Sequence, residues 1–411
     1  MKKSLKLMLA VLLTFSIVLA GCSSNNTSKD GDKVLKVWIM GEGSKNFQEI
    51  AKPFEEQNPG LKVEVQAIPW GSAHDKLLTA IASKSGPDVV QMGTTWVPEF
   101  GGADVLLDLT SYLEQYPNLN KENFYEGSVD TMSVNDKIVG IPWYVETRAL
   151  YYRTDLLAEV GYPEGPKTWD ELKDAGKKLV ANGEGKYAIP IDAKDANYLA
   201  MYAYQNGSKL IDENREAQLN QPEFQESIEF LKSLYDEGLT PTGSDRDIFA
   251  AFKDGTFPMF ISGPWMIASV KEKAPEIDGK WAIAVLPAEK TNTSFMGGAN
   301  LSVFNFSKNQ DEAVKFISYM TDKETQLKWY DLGKDLPSVT EAWSDSRLAD
   351  PLIATFGEQL KNAKPVPFVK EWEEISQAII ASFEEITVGG VDVKTELDKL
   401  NQKATEILNK Q

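Results

Sequence analysis

The apolar pattern after Val34 switches repeatedly between strand and helix period, and this limits the fold more than any single motif. Val34–Met40 (VLKVWIM) reads as a strand, followed by the turn Gly41-Glu42-Gly43-Ser44. Phe47, Ile50, Ala51 and Phe54 then form a helical stripe. Pro53 within the stripe predicts a kink or an early end, because it removes a backbone donor. Asn58-Pro59-Gly60 closes the unit, and Leu61–Val65 alternates as a second strand. A helix through Lys76-Leu77-Leu78 and Ile81, the breaker Gly86-Pro87 and a buried strand at Asp88–Met92 follow. Strands alternating with helices imply an open, mostly parallel sheet. Such sheets bind ligands beyond the carboxyl ends of their strands. Glu42 falls at one such end, and Thr95-Trp96 follow another.

The later chain reads in the same α/β style. Strands are expected at Tyr187–Ile191, Phe257–Ser262 and Trp281–Pro287, with a return strand into the first domain at Leu301–Phe304. Helices are expected at Ala196–Tyr204, Glu223–Tyr235 and Asp311–Tyr319. The tail from Trp372 to Leu408 is helical, broken at Gly389-Gly390. Between the halves lies GIPWYVETRALYYRTDLLAEVGYPEGPKTWDEL, residues 140–172. It sets the carboxylate Glu146 between an extended run ending at Trp143-Tyr144-Val145 and a second run at Ala149–Tyr152. A capping box at Thr168-Trp169-Asp170-Glu171 begins a helix, with Thr168 accepting from Glu171 N–H and Glu171 reaching back to Thr168 N–H. Pro166 should keep Gly165 extended.

At 411 residues the chain suits two domains of ordinary size. Lys2, Lys3 and Lys6 precede fourteen largely apolar residues, Leu7–Ala20, too few to span a bilayer comfortably. This is the pattern of an export signal, residues 1–21. It ends Leu19-Ala20-Gly21-Cys22, which resembles the bacterial lipobox and implies lipidation of Cys22. No other cysteine exists, so no disulfide framework is available. Ser23–Lys33 has no apolar residue and, with Cys22, reads as a flexible tether, 22–33. Losing the three lysines of the signal takes the net charge from −18 to −21. So acidic a body is a poor partner for nucleic acid, and for anionic lipid except through its anchor.

Hydrolase, zinc-protease and P-loop motifs are missing. The lone histidine, His74, lacks the partners of a triad or metal site and reads as solvated. Asn46 replaces the third glycine of a dinucleotide fingerprint. Asp245-Arg246-Asp247 and Glu371, Glu373 and Glu374 lack calcium-loop spacing and read as solvated faces. No cofactor and no metal are expected. Aromatics are abundant, with ten Trp and fourteen Tyr. Most are expected in the core, but Trp96, Trp265 and Trp372 each lie beside a turn. Flat aromatic faces bury the C–H faces of a sugar ring, while carboxylates and amides bond its hydroxyls.

Taken together, several stretches resemble the bacterial family 1 solute-binding proteins, the sugar receptors of ABC importers, over nearly all of Val34–Leu408. They are the P-x-x-x-E segment at Pro142–Glu146, followed by YYRTDLL and PKTWDEL; Trp38–Gly41; Gly86-Pro87-Asp88-Val89-Val90; and Ala251-Phe252 through Gly255 and Met259 to Gly263-Pro264-Trp265. The resemblance implies a periplasmic-binding-protein-like α/β fold, with two lobes joined by a multi-strand hinge and a ligand cleft between them. The lobes would be 34–145 with 295–345, and 146–294 with 346–411. It makes Glu146 the central hydroxyl-binding carboxylate at the hinge, Glu42 an acidic contact, and Trp96 a contact after its strand. Trp265 and Trp372 become stacking indoles. Asp195 and Asn197 stand where maltodextrin-binding members carry Glu and Tyr, which removes an aromatic face and argues for a sugar other than maltodextrin. The implied protein is a monomeric, non-enzymatic, lipid-anchored receptor on the outer face of the cytoplasmic membrane. It would close on a carbohydrate, an oligosaccharide by preference, and deliver it to an ABC permease. Two alternatives remain open at this stage: the same receptor binding a non-sugar solute such as a peptide or polyol, or a surface glycosidase using Glu42 and Glu146.

Overall fold

The computed structural model describes residues 33–41, 44–183, 185–243 and 246–410. The export signal, tether residues 22–32 and Glu42 lie outside the described residues; Lys33, expected in the tether, instead opens the first strand.

The first strand, β1 (Lys33–Met40), leads into helix α1 (Ser44–Gln57). That helix runs straight through Pro53. The carbonyl deprived of a partner by Pro53 is that of Glu49, and it accepts a bond from Lys328 Nζ at 2.9 Å. A tertiary contact thus replaces the missing rung, and the helix does not end early at Pro53. Next come β2 (Leu61–Ile68), α2 (Trp70–Ser83) and β3 (Val89–Gly93). Both β2 and β3 pair parallel to β1.

Two further strands follow almost without interruption, β4 (Ile141–Thr147) and β5 (Ala149–Arg153). The C-terminal half adds α3 (Trp169–Ala181), α4 (Ala196–Gln205), α5 (Pro222–Asp236), β6 (Met259–Ser262) and β7 (Trp281–Ala284). The return strand β8 (Ser294–Val303) is longer than its apolar core predicts. Last are α6 (Gln310–Met320), α7 (Lys323–Gly333), β9 (Leu336–Pro337), α8 (Pro351–Leu360), α9 (Trp372–Thr387) and α10 (Val393–Leu408).

The large sheet runs β9-β4-β8-β3-β1-β2, with the short pair Ala363–Lys364 added beside β8. Its β3-β1-β2 part is parallel, as is the short Ala363–Lys364 pairing; β8 inserts antiparallel to both β3 and β4. A second, wholly antiparallel sheet runs β6-β5-β7. The expected mostly parallel sheet is therefore a mixed one, and the second lobe is largely helical. Tyr187–Ile191 forms no strand: Tyr187 N–H bonds Thr256 O and Ala188 N–H bonds Leu239 O, single contacts to two loops rather than a ladder. Gly165 takes φ +72° instead of an extended conformation, a freedom glycine keeps even before proline. The Thr168 cap is present, with Glu171 N–H donating at 3.1 Å, but the Glu171 carboxylate accepts from Lys167 N–H, one residue before the expected donor.

The chain passes from the large sheet to the small one between β4 and β5, and a single residue, Arg148, makes that passage. It returns between β7 and β8, and leaves again after β9 for α8, which packs on the small sheet. The crossings are held together at Ser294, whose Oγ accepts from Arg148 N–H (3.2 Å) and donates to Arg148 O (3.0 Å). Thr147 Oγ1 adds a bond to Phe295 O at 2.9 Å.

Candidate ligand-binding cleft

A cavity of about 560 Å³ opens where the sheets meet, a volume typical of small-molecule sites. Loop and strand ends of the large sheet supply Thr95, Trp96, Tyr144 and Glu146; the second lobe supplies Asn197, Trp265 and Glu373. Arg148 and Phe295 stand between them.

Glu146 is part of β4, not a loop between two runs, and pairs with Gly297 across the ladder. A Cβ at Gly297 would lie 2.8 Å from Glu146 Oε1, so the carboxylate can rest over that strand only because the residue is glycine. At Gly298, φ is +130° and a Cβ would collide with Tyr144 O. Two adjacent glycines thus let β8 run close beneath the Glu146 side chain. Tyr144 is fixed by Gln91, whose Nε2 donates to its hydroxyl at 3.1 Å.

Arg148 is the only cation among the described residues lining the cavity. Its Nη1 lies 3.3 Å from Glu146 Oε1, and its Nη2 lies 4.0 Å from Asp195 Oδ2. The guanidinium covers one face of Trp265, 4.7 Å from the ring centroid, and approaches Phe295 at 5.5 Å. The Trp265 ring also lies over Gly263, where no side chain would fit. Arg148 Nη1 is buried and makes no well-aligned hydrogen bond.

Of the residues expected from sequence, Trp96, Glu146, Asn197 and Trp265 are brought together in this one cavity. Asp195 caps α4 through Asn197 N–H at 2.9 Å and borders a smaller neighbouring cavity of about 180 Å³ that shares Thr95, Asn197 and Glu373 with the main one. Trp372 differs most from expectation. It is 2% exposed, within the second-lobe core, and reaches the wall of the smaller cavity rather than the main one. The next residue, Glu373, presents its carboxylate to the cleft instead. Residues 372, 375, 379, 383 and 386 form the buried stripe of α9, and helical period from that stripe was the signal that Trp372 belongs inside. His74 is partly exposed and also paired: its Nε2 is 2.7 Å from Glu99 Oε2, and its ring packs 5.6 Å from Trp96.

Sequence reasoning missed Trp70, Arg148, Asp335 and Glu373. Trp70 opens α2, is 42% exposed, and lies 5.5 Å from Trp96. Asp335 accepts from Trp329 Nε1 at 2.9 Å. Desolvation, with the negative charge of Glu146 adding to it, pushes the Asp335 carboxyl up to about 7 against the opposing bond from Trp329.

The family of bacterial extracellular solute-binding proteins matches residues 40–327. The chain belongs to this family. A putative binding protein of Brucella abortus is 29% identical over 377 residues, covering 89% of this chain and 90% of its own. The arabinooligosaccharide-binding protein of Bacillus subtilis is 27% identical, with 85% and 84% covered. Among solved structures, the sugar-binding protein MalE of Xanthomonas citri superimposes with a TM-score of 0.86 at 32% identity, over 92% of this chain and 97% of that one. The two-lobed binding-protein architecture expected from sequence is thereby established for this solute-binding protein. Among the described residues no helix is long and apolar enough to cross a membrane.

Proposed function

We propose that this solute-binding protein is the receptor of an ABC importer for a neutral oligosaccharide. The observation that carries this reading is the composition of one cleft. Trp70, Trp96, Tyr144 and Phe295 bring aromatic surface and Trp265 lies beneath the Arg148 guanidinium, while Glu146, Arg148, Asn197 and Glu373 offer hydroxyl partners of both polarities. The Glu146 carboxylate and the Arg148 guanidinium, in contact at 3.3 Å, suit adjacent hydroxyls, one donating and the other accepting. Three acidic residues, Glu146, Asp335 and Glu373, line the cavity against a single guanidinium, which disfavours an anionic ligand. Named relatives support a sugar: one binds arabinooligosaccharide, and the Xanthomonas citri protein is described as sugar-binding.

The proposal extends to the parts that flank the cleft. Cys22 is the lipid-bearing residue that holds the mature protein to the outer face of the cytoplasmic membrane. Ligand binding, with no turnover, is its role, and it works as a monomer docking on its permease. The lobes divide at 145/146, 294/295 and 345/346, within a few residues of the sheet crossings. Glu42 contributes a further hydroxyl acceptor.

The test is intrinsic tryptophan fluorescence of the chain from residue 23, titrated with arabino-, galacto- and malto-oligosaccharides. A saturable change with one series, with the sugar recovered uncleaved, is expected. Silence across all three series, with binding to a polyol or peptide, would move the ligand outside carbohydrate; cleavage would make the protein a glycosidase.

A further inference from the structure

The loop between the short pair Ala363–Lys364 and α9 sends its apolar side chains to two different places. Val366 and Val369 are 5% and 8% exposed, within the second-lobe core. Tyr204, in α4, ties the backbone to the same lobe, its hydroxyl donating to Pro365 O at 2.9 Å. Phe368, set between the two valines, is half-buried and packs instead against the first-lobe cluster that contains Met92, Val97 and Phe100. We infer that Phe368 is a latch between the lobes, which raises ligand affinity by holding the closed arrangement and not by touching the ligand. The inference rests on the receptor reading above.

The backbone around residue 368 belongs to one lobe and the ring packs on the other. The contact is therefore made when the lobes meet and lost when they part. On parting, the ring returns to water, at a cost that scales with the apolar area exposed. Phe368 lines neither the main cavity nor the smaller one, so it stands apart from the ligand. The lobes face each other close by: Thr95, of the first lobe, and Trp372, Ser376 and Gln377, of α9, line the smaller cavity together. Trp96 packs on the same first-lobe cluster as Phe368 and lines the main cavity. The latch and the ligand thus act on one surface of the first lobe from separate positions.

A contact of this kind acts on the population of the closed arrangement. Where the closed form is the minor one without ligand, the apparent affinity is the intrinsic affinity scaled by the closed fraction. Phe368 therefore multiplies the affinity for every ligand by one factor, whatever its length. A side chain that touched the sugar would act only on those lengths that reach it.

The experiment is calorimetric titration of the chain from residue 23 with arabino-, galacto- and malto-oligosaccharides of one to four rings, using wild type, Phe368→Leu and Phe368→Ala. In the series that binds, Phe368→Ala should weaken every length by one common factor of about five- to tenfold, and Phe368→Leu by about twofold. The melting temperature of the ligand-free protein should fall by only a few degrees. The chain from residue 23 has no cysteine, so Phe368→Cys supplies a single thiol. Saturating sugar should slow its alkylation by iodoacetamide severalfold. Val388→Cys, at a residue 65% exposed, should react at the same rate with and without sugar. The inference is overturned by unchanged affinity in Phe368→Ala, by a loss confined to one length, by a collapse of the ligand-free melting temperature, or by no protection of Phe368→Cys. If wild type binds no sugar in any series, the carbohydrate reading has failed instead, and the same comparison is made with the polyol or peptide that binds.

Discussion

Arg148 and Trp265 act as one unit at the level of single residues. The guanidinium lies on one indole face and Gly263 lies under the ring, so a ligand meets the pair and not a bare indole. Trp265→Ala removes that surface and frees Arg148. Sugar affinity should fall by at least about 30-fold, the scale of an aromatic hot spot, with the melting temperature lowered by only a few degrees. A collapse in melting temperature would identify Trp265 as a core residue instead. Asp335 gives a pH prediction. Its carboxyl is raised from 3.8 to about 7, so the native state holds a proton that the unfolded chain has released across that interval. Stability from this group is full below about pH 4 and is lost as pH rises through about 7. Asp335→Asn should therefore stabilise the protein by roughly 1–3 kcal/mol at pH 8 and by little at pH 4, as read from urea unfolding at both values. An equal effect at both would remove the titration argument.

At the scale of elements, β8 does the most to shape the cleft. It is the antiparallel insert between β3 and β4, and its glycines let the Glu146 side chain and the Tyr144 backbone approach. Gly298→Ala would need a left-handed φ and a Cβ inside Tyr144 O. It should destabilise by more than about 2 kcal/mol, while Gly102→Ala, which meets nothing within 4 Å, serves as the control in the same unfolding series. α1 shows the opposite case, where a local rule yields. Pro53 removes one rung, and the ammonium of Lys328, from α7, takes the vacated carbonyl.

The whole molecule turns on short connections between sheets, one of them a single residue. Glu146, in the large sheet, and Arg148, at the passage, contact each other and face the same cavity. A ligand bridging Glu146 and Asn197 would favour the arrangement in which the lobes approach, by the difference in its affinity for the two arrangements. Small-angle scattering with saturating sugar should show a smaller radius of gyration than without it, and an unchanged radius would show that binding needs no closure. The address is tested separately. The full-length protein should sediment with membranes, and Cys22→Ser should move it to the soluble fraction; retention of the variant on membranes would exclude the lipid anchor.

The sequence by itself determined most elements, because strand and helix periods, Gly-Pro breaks and helix caps are local. It also pointed to the family and to a cleft at Glu146, Trp96, Asn197 and Trp265, since those lie beside strand ends, turns and helix starts. Only the tertiary structure decided strand direction: β8 is apolar either way, and its antiparallel place between β3 and β4 depends on which edges are free. Only it could select Arg148 and Asp335, whose neighbours Trp265 and Glu146 are remote in sequence, so that nothing local marks either as a cleft residue. The placing of Glu373 on the main cavity and of Trp372 on the smaller one has the same origin. One helical step turns a side chain by about 100°, and the packing of α9 on the second-lobe core decides which of the two meets the ligand.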